Sequence, residues 1–190
     1  PRNRLARLPT PLEAMPSLTK ALGGPSLYVK RDDMTGLAFG GNKARQLEFY
    51  FGQAQAEGAD VALITGAVQS NFVRSAATAA AKLGMDCHAQ LEERVPDTDR
   101  THRNSGNVLI NKLLGATIYT YKDGEDEAGA DRRIHEIAAE LKAQGRTPYI
   151  IPLAPGHPPL GALGYVIAAQ EILDDLRQQN LEINEIIVAS

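Results

Sequence analysis

Apolar and polar positions along this chain form blocks that predict strands and helices in turn. Continuous apolar runs predict buried strands at 27–30, 61–65, 85–90, 117–121 and 148–153. Between them, apolar residues recur at three- and four-residue spacing, which predicts helices that begin near residue 42 and cover 72–83, 105–114, 134–141 and 166–176. This alternation predicts an α/β fold in which helices cover both faces of a parallel sheet.

The first candidate site is the turn Gly40-Gly41-Asn42-Lys43, which precedes a predicted helix. A lysine in the first turn of a helix lies beside free backbone N–H groups and the positive end of the helix dipole. Lysine amines form Schiff bases with carbonyl groups, so Lys43 is a candidate catalytic residue. The alternative is a solvated surface lysine beside a flexible glycine turn.

The second candidate site is the turn Gln69-Ser70-Asn71, which lies between the predicted strand 61–65 and the next predicted helix. Backbone N–H groups at such a helix start bind carboxylate or phosphate groups. Ser70 and Asn71 add polar side chains at the same place. The alternative is ordinary N-capping, for which serine and asparagine are preferred residues.

Composition excludes several classes of protein. Of the 190 residues, 43% are hydrophobic and 23% are charged, as in soluble globular proteins. The formal net charge of −3 offers no basic surface for a nucleic acid, and no apolar run is long enough to span a membrane. We therefore expect no nucleic-acid partner and no membrane partner.

The cysteine and the histidines bear on the cellular compartment and on metal binding. Cys87 is the only cysteine, which excludes an internal disulfide and favours a reducing compartment, so we predict a cytoplasmic protein. We expect Cys87 to be a small buried residue. The four histidines show no metal-ligand spacing among themselves or with Cys87, so the sequence predicts no metal site.

Residues 185–190 form an apolar run without a following turn or polar tail. We expect this run to be a buried strand. This predicts that the chain is the N-terminal part of a longer protein.

Several short motifs in this order resemble one enzyme family, the D-cysteine desulfhydrase and 1-aminocyclopropane-1-carboxylate deaminase family. They are RLPTPL at 7–12, KRDD at 30–33, GGNK at 40–43 with Arg45, Leu47 and Glu48, QSN at 69–71 with Arg74, and LGALGY at 160–165. The resemblance covers the chain from about residue 5 to residue 190. It implies the tryptophan synthase β-like fold of enzymes that use pyridoxal 5′-phosphate (PLP), with two open parallel-sheet domains.

The resemblance also implies roles for individual residues. Lys43 matches the lysine that binds PLP covalently, and Asn71 matches the asparagine that binds the ring hydroxyl of the cofactor. Ser70, with Gln69 and Asn71, matches the group that faces the substrate carboxylate, and Ser190 matches the first serine of the phosphate-binding loop. The implied domains are a large PLP domain formed by 1–46 and 155–190, and a small α/β domain formed by 47–154.

The implied activity is that of a lyase on a small amino acid, within a homodimer. The Cα proton is removed, a β-substituent leaves, and pyruvate and ammonia are formed. D-cysteine desulfhydration, which releases hydrogen sulfide, is the first expectation. L-cysteate sulfo-lyase activity and 1-aminocyclopropane-1-carboxylate deamination are the alternatives, and a non-catalytic relative that binds PLP or an anion is the alternative of another class.

Two departures from the family pattern concern the substrate. Phe72 stands where the family pattern predicts histidine or glutamine, and 154–157 (APGH) replaces a turn rich in glycine and serine. We expect Phe72 to be a core residue and His157 to be a loop histidine. Arg74 and His157 are the candidate cations or donors for a sulfonate, and Arg74 is alternatively a structural partner of an acid such as Asp33.

Overall fold

The computed structural model describes residues 1–153 and 157–188. Its strands are Leu12–Ala14 (β1), Tyr28–Lys30 (β2), Val61–Ala67 (β3), Asp86–Glu92 (β4), Thr117–Tyr121 (β5) and Pro148–Ile151 (β6). Its α-helices are Pro16–Leu22 (α1), Lys43–Ala56 (α2), Asn71–Leu83 (α3), Gly106–Leu113 (α4), Glu127–Ala143 (α5) and Leu163–Gln179 (α6). The helices and strands predicted between residues 27 and 176 are confirmed, with small differences at their ends.

Four of the strands form a parallel sheet in the order β5–β4–β3–β6. Strands β1 and β2 form a separate antiparallel pair. Because parallel strands need a crossover between them, each pair of neighbouring strands in the larger sheet is joined through at least one helix. The predicted α/β fold with a parallel sheet is confirmed.

Strand β3 shows why the sheet is covered on both faces. Ala62 and Ile64 pack into the larger core, which α2 and α3 share. Val61 and Leu63 point to the opposite face, where they pack against α5. Successive side chains of a strand face opposite sides, so a run in which every residue is apolar requires a helix on each side.

A buried ionic cluster joins the N-terminal segment to α2 and α6. The fully buried guanidinium of Arg45 donates to both oxygens of Asp32, at 2.8 Å each, and to both oxygens of Glu171, at 3.0 and 2.9 Å. It also donates to the hydroxyl of Thr10 at 3.0 Å. Burial alone would raise the pKa of Glu171, but the hydrogen bonds and charge of Arg45, together with the Thr10 backbone N–H and the charge of Lys30, hold that pKa below its usual value.

The predicted buried strand at 185–190 is not confirmed over its described part. Residues 185–188 have no strand partner there, and Ile187 is 89% exposed. A strand needs a neighbour to receive its backbone hydrogen bonds, and the described residues place none beside this segment. None of the helices described is long and apolar enough to cross a membrane.

Candidate active site

The glycine pair before α2 forms a tight turn that sets the position of Lys43. Gly40 has φ +76°, and a Cβ atom there would run into the carbonyl of Asp33. The backbone N–H of Gly41 donates to the carbonyl of Asp32 at 2.9 Å. Only glycine fits at Gly40, and the turn makes Lys43 the first residue of α2.

Lys43 directs its side chain into a cavity of about 450 Å³ at the carboxyl ends of β3 and β4. Its Nζ lies 5.4 Å from the centroid of the Phe72 ring. Within residues 1–153 and 157–188 the amine makes no hydrogen bond or ion pair. A half-buried amine in a cavity fits a reactive lysine better than a solvated one.

Ser70 lies across the same cavity as the N-cap of α3. Its Oγ accepts hydrogen bonds from the backbone N–H groups of Phe72, at 3.2 Å, and Val73, at 3.3 Å. The capping interpretation is therefore confirmed for Ser70. Because both bonds use oxygen lone pairs, the hydroxyl hydrogen stays available to a bound ligand.

The orientation of the Asn71 amide follows from its partners. Its Oδ1 accepts hydrogen bonds from Nη1 of Arg74, at 2.9 Å, and Nδ2 of Asn107, at 3.2 Å. An arginine only donates, so the oxygen must face it. Asn71 is exposed, and in the described part of the chain its Nδ2 has no partner, which leaves two N–H donors for a ligand.

Gln69 reaches the cavity wall but uses its amide to hold the loop before α4. Its Nε2 donates to the carbonyls of His102, at 2.6 Å, and Ser105, at 3.0 Å. Its Oε1 accepts from the backbone N–H of Asn107 at 2.9 Å. Contact between this side chain and a substrate stays a prediction, and the predicted phosphate-loop residue Ser190 lies outside the described residues.

Asn107 was missed by the sequence analysis, although it connects the polar groups of the second turn. Its Nδ2 donates to the carbonyl of Gln69 at 2.7 Å, and its Oδ1 accepts from Arg74 at 2.7 Å. The available signal was a polar helix start, Ser105-Gly106-Asn107, similar to the turn at 69–71. Asn107 therefore contacts three of the residues at this turn.

Glu92 was also missed, although it stands at the carboxyl end of a parallel strand, where ligands bind in such sheets. Its carboxylate is buried and accepts from the hydroxyl of Thr65 at 2.5 Å and from Arg94 at 2.6 Å. Both Thr65 and Glu92 line the cavity. They make its floor polar.

The other expectations about individual residues have clear outcomes. Phe72 is a core residue, as predicted. Arg74 does not bind Asp33, which pairs with Arg31 at 2.8 Å instead. Cys87 is buried, as predicted, and burial raises the pKa of its thiol to about 12. It is therefore not a nucleophile.

This geometry agrees with the comparison with known protein families. Residues 4–190 match the family described as pyridoxal-phosphate dependent enzyme. The chain belongs to this family. The membership predicted from the motifs is therefore confirmed.

Curated relatives of the chain include D-cysteine desulfhydrases of Salmonella. The proteins of Salmonella typhi and Salmonella enteritidis PT4 are each 41% identical to it over 190 residues. The match covers 100% of this chain and 56% of each relative. The chain thus spans little more than half the length of the curated relatives it matches.

Solved structures support the same fold. A crystal structure described as the ACC deaminase homologue has a TM-score of 0.79 and 41% sequence identity, over 91% of this chain and 50% of that chain. The apo form of Escherichia coli diaminopropionate ammonia lyase has a TM-score of 0.66 and 18% identity, over 93% of this chain and 48% of that chain. The second likeness shows the fold alone. The predicted fold class is confirmed.

Proposed function

We propose that the protein is a PLP-dependent carbon–sulfur lyase that converts D-cysteine to pyruvate, ammonia and hydrogen sulfide. The observation that carries this proposal is the position of Lys43, whose amine enters a cavity opposite Ser70 with no partner in the described part of the chain. The identity to D-cysteine desulfhydrases supports the choice of substrate.

The donor set around the cavity fits PLP. Lys43 would supply the amine that bonds covalently to the aldehyde, and Asn71, which is next to the cavity-lining Ser70, would offer its Nδ2 to the ring hydroxyl. The N-terminus of α3 and the hydroxyl of Ser70 supply donors for a carboxylate. When bound, PLP supplies the electron sink that makes the Cα proton of an amino acid acidic.

The protein residues then have separate tasks. With the cofactor and substrate bound, the amine of Lys43 would take the proton from Cα and hold it at Nζ. Ser70 donates its hydroxyl hydrogen to the substrate carboxylate and so orients the Cα–H bond. Phe72 keeps water from one side of the amine. The departing sulfide would take the proton held at Nζ of Lys43 and leave as hydrogen sulfide, and water would supply the oxygen of pyruvate as ammonia is released.

The described residues do not favour a sulfonate leaving group. Arg74, the expected cation, is bound to Asn71 and Asn107 and lies over the Phe39 ring, 5.7 Å from its centroid. Arg94 lines the cavity but pairs with Glu92. Among the described residues, neither Arg74 nor His157 lines the cavity, and Arg94 is already paired with Glu92, so L-cysteate is a weaker candidate than D-cysteine.

The experiment combines cofactor mapping with product analysis. The purified protein with PLP is reduced with borohydride and the modified lysine is identified by peptide mapping. D-cysteine, L-cysteate and 1-aminocyclopropane-1-carboxylate are then compared through hydrogen sulfide, sulfite and 2-oxobutyrate. We expect the adduct on Lys43 and hydrogen sulfide as the main product.

Two lysine variants complete this test. Lys43→Ala should lose both the adduct and turnover, whereas Lys82→Ala, at an exposed lysine near the end of α3, should keep both. An adduct on another lysine would contradict the catalytic assignment. Sulfite or 2-oxobutyrate as the main product would contradict the choice of substrate, and no adduct would favour the non-catalytic alternative.

The proposal extends to domain organisation, assembly and location. The buried cluster around Arg45 ties 1–46 to α6, which supports a large domain formed by 1–46 and 155–190 and a small one formed by 47–154. A location in the cytoplasm accords with the buried, unpaired Cys87, and a homodimer is what the family resemblance implies. Light scattering of the purified protein tests the dimer, which a monomeric mass would exclude.

A further inference from the structure

Two histidines and one aspartate that are distant in sequence meet at one edge of the cavity. Asp131 and His135 lie one turn apart on α5, and His157 comes from the connection between β6 and α6. Nε2 of His135 and Nε2 of His157 each lie 3.9 Å from a different oxygen of the Asp131 carboxylate. The two rings are nearly parallel, with centroids 6.4 Å apart and an interplanar angle of 18°.

These side chains are free to approach one another further. The side chains of His135 and His157 are 52% and 36% exposed. In the described residues, the Asp131 carboxylate makes no hydrogen bond and faces no lysine or arginine within 4.0 Å. One ligand atom from each residue lies within 4.8 Å of the other two. Ligand atoms around a tetrahedral zinc ion are about 3.3 Å apart, so small side-chain rotations would suffice.

We propose that Asp131, His135 and His157 form a binding site for a divalent transition-metal ion, with zinc as the preferred probe. Two imidazoles and a carboxylate are ligands that zinc accepts, and two ligands at i and i+4 on a helix present their atoms on one face. The remaining position is open to water or a small ligand. The site is independent of the chemistry proposed for Lys43.

A metal ion bound at this site would link two segments of the chain beside the cavity. Asp131 also lines the cavity that holds Lys43. A bound ion would connect α5 to residue 157 of the segment that leads into α6. This connection would resist separation of α5 from that segment, so zinc should raise the melting temperature of the protein.

The sequence did not suggest this site, because the four histidines show no metal-ligand spacing among themselves or with Cys87. The acid at i−4 from His135 completes a helical ligand pair, and only the fold brings His157 to it. The alternative is two weak histidine–carboxylate ion pairs without a metal.

The test is a zinc titration by calorimetry on the untagged, metal-stripped protein with its cofactor. We expect one zinc ion per chain. Asp131→Asn and the double variant His135→Gln/His157→Gln should each weaken binding by about tenfold or more, because each removes ligands from a three-ligand site. His102→Gln and Glu127→Gln, at two other cavity-lining residues, serve as matched controls and should bind zinc as the parent does.

A second readout identifies the ligands directly. X-ray absorption spectroscopy of the zinc-loaded protein should show two imidazoles in the parent and fewer in the double variant. Absence of bound zinc would overturn the proposal and leave only the ion pairs. Unchanged binding in the double variant would also overturn it. The histidines are exposed, so an unchanged circular dichroism spectrum can show that the variants fold.

Discussion

The amine of Lys43 lies against the aromatic face of Phe72, with Nζ 5.4 Å from the ring centroid. The two residues come from the first turns of α2 and α3, which pack side by side. A buried aromatic ring limits the positions that a flexible lysine side chain can take. Phe72 therefore packs in the core and also positions the amine of Lys43.

Replacing this ring should lower both turnover and stability. We expect Phe72→Leu to lower the free energy of unfolding by about 1–2 kcal/mol, because the residue is buried and the volume change is modest. Turnover should fall about tenfold, because the amine loses a contact that orients it. Urea denaturation and steady-state kinetics measure the two effects.

The control for this prediction is Phe51→Leu. Phe51 is fully buried in the same core but lies in α2 away from the amine. The Phe51→Leu variant should lose a similar amount of free energy of unfolding as Phe72→Leu. Its turnover per folded molecule should be unchanged. Equal losses of turnover in the two variants would show that Phe72 acts only through packing.

Asn107 should control the affinity for PLP through Asn71. In Asn107→Ala, the Asn71 oxygen keeps only Arg74 as a donor, so the orientation of the Asn71 amide is less firmly fixed. We expect PLP affinity to fall about tenfold, the cost of about one hydrogen bond. Equilibrium titration of the apo protein with PLP measures this change.

Asn104→Ala provides the comparison for Asn107. Asn104 lies in the loop just before α4, where it bonds to Lys112 and to the carbonyl of Arg100. PLP affinity should be unchanged in this variant. A similar loss in both variants would mean that the loop as a whole, rather than the Asn71 amide, sets the affinity.

The buried cluster around Arg45 should dominate the stability of the N-terminal segment. Arg45→Met leaves the carboxylates of Asp32 and Glu171 without their main partner, and we expect a loss of about 3–5 kcal/mol. Arg133→Met removes exposed ion pairs on α5 and should cost less than about 1 kcal/mol. Similar urea midpoints for the two variants would contradict this role of Arg45.

Acid should destabilise the protein partly through the N-cap of α5. Hydrogen bonds from the Gly129 backbone and the Tyr121 hydroxyl hold the pKa of Asp126 below its usual value. A carboxyl group of this kind contributes stability above its unfolded pKa of about 3.9, and this contribution is lost as the pH falls through the lower folded value. Asp126→Asn keeps a good cap but removes the titration, so it should flatten this part of the pH profile.

Urea denaturation between about pH 2 and pH 7 measures the acid effect, since carboxyl groups titrate in this range. Asp97→Asn is the control, because Asp97 has no hydrogen bond or ion pair with any side chain that the structure describes. The Asp97→Asn variant should change the free energy of unfolding by a similar amount at every pH. The slope of its stability–pH profile at low pH should therefore equal that of the parent. Equal slopes for the parent and Asp126→Asn would show that Asp126 does not contribute to the acid transition.

Much of the fold was determined by the sequence alone. Strand β3 is apolar at nearly every position, and the helices that follow it repeat their apolar residues at helical spacing, so local pattern was enough to predict the parallel sheet. The five motifs between residues 7 and 165 predicted the family correctly, because each motif is contiguous in sequence and their order along the chain can be read directly. Capping by Ser70 was likewise a local property.

Only the tertiary structure decided how distant residues meet. Asn107 lies beside Asn71 in the tertiary structure, and its hydrogen bond helps to orient the Asn71 amide. The sequence around Asn71 does not predict which way this amide points. In the tertiary structure the Gln69 amide donates to the carbonyl of His102, 33 residues away, and His157 lies beside Asp131. The physical reason is that an apolar pattern specifies which face of an element is buried, whereas a polar side chain depends on partners that crossover connections bring from elsewhere in the chain.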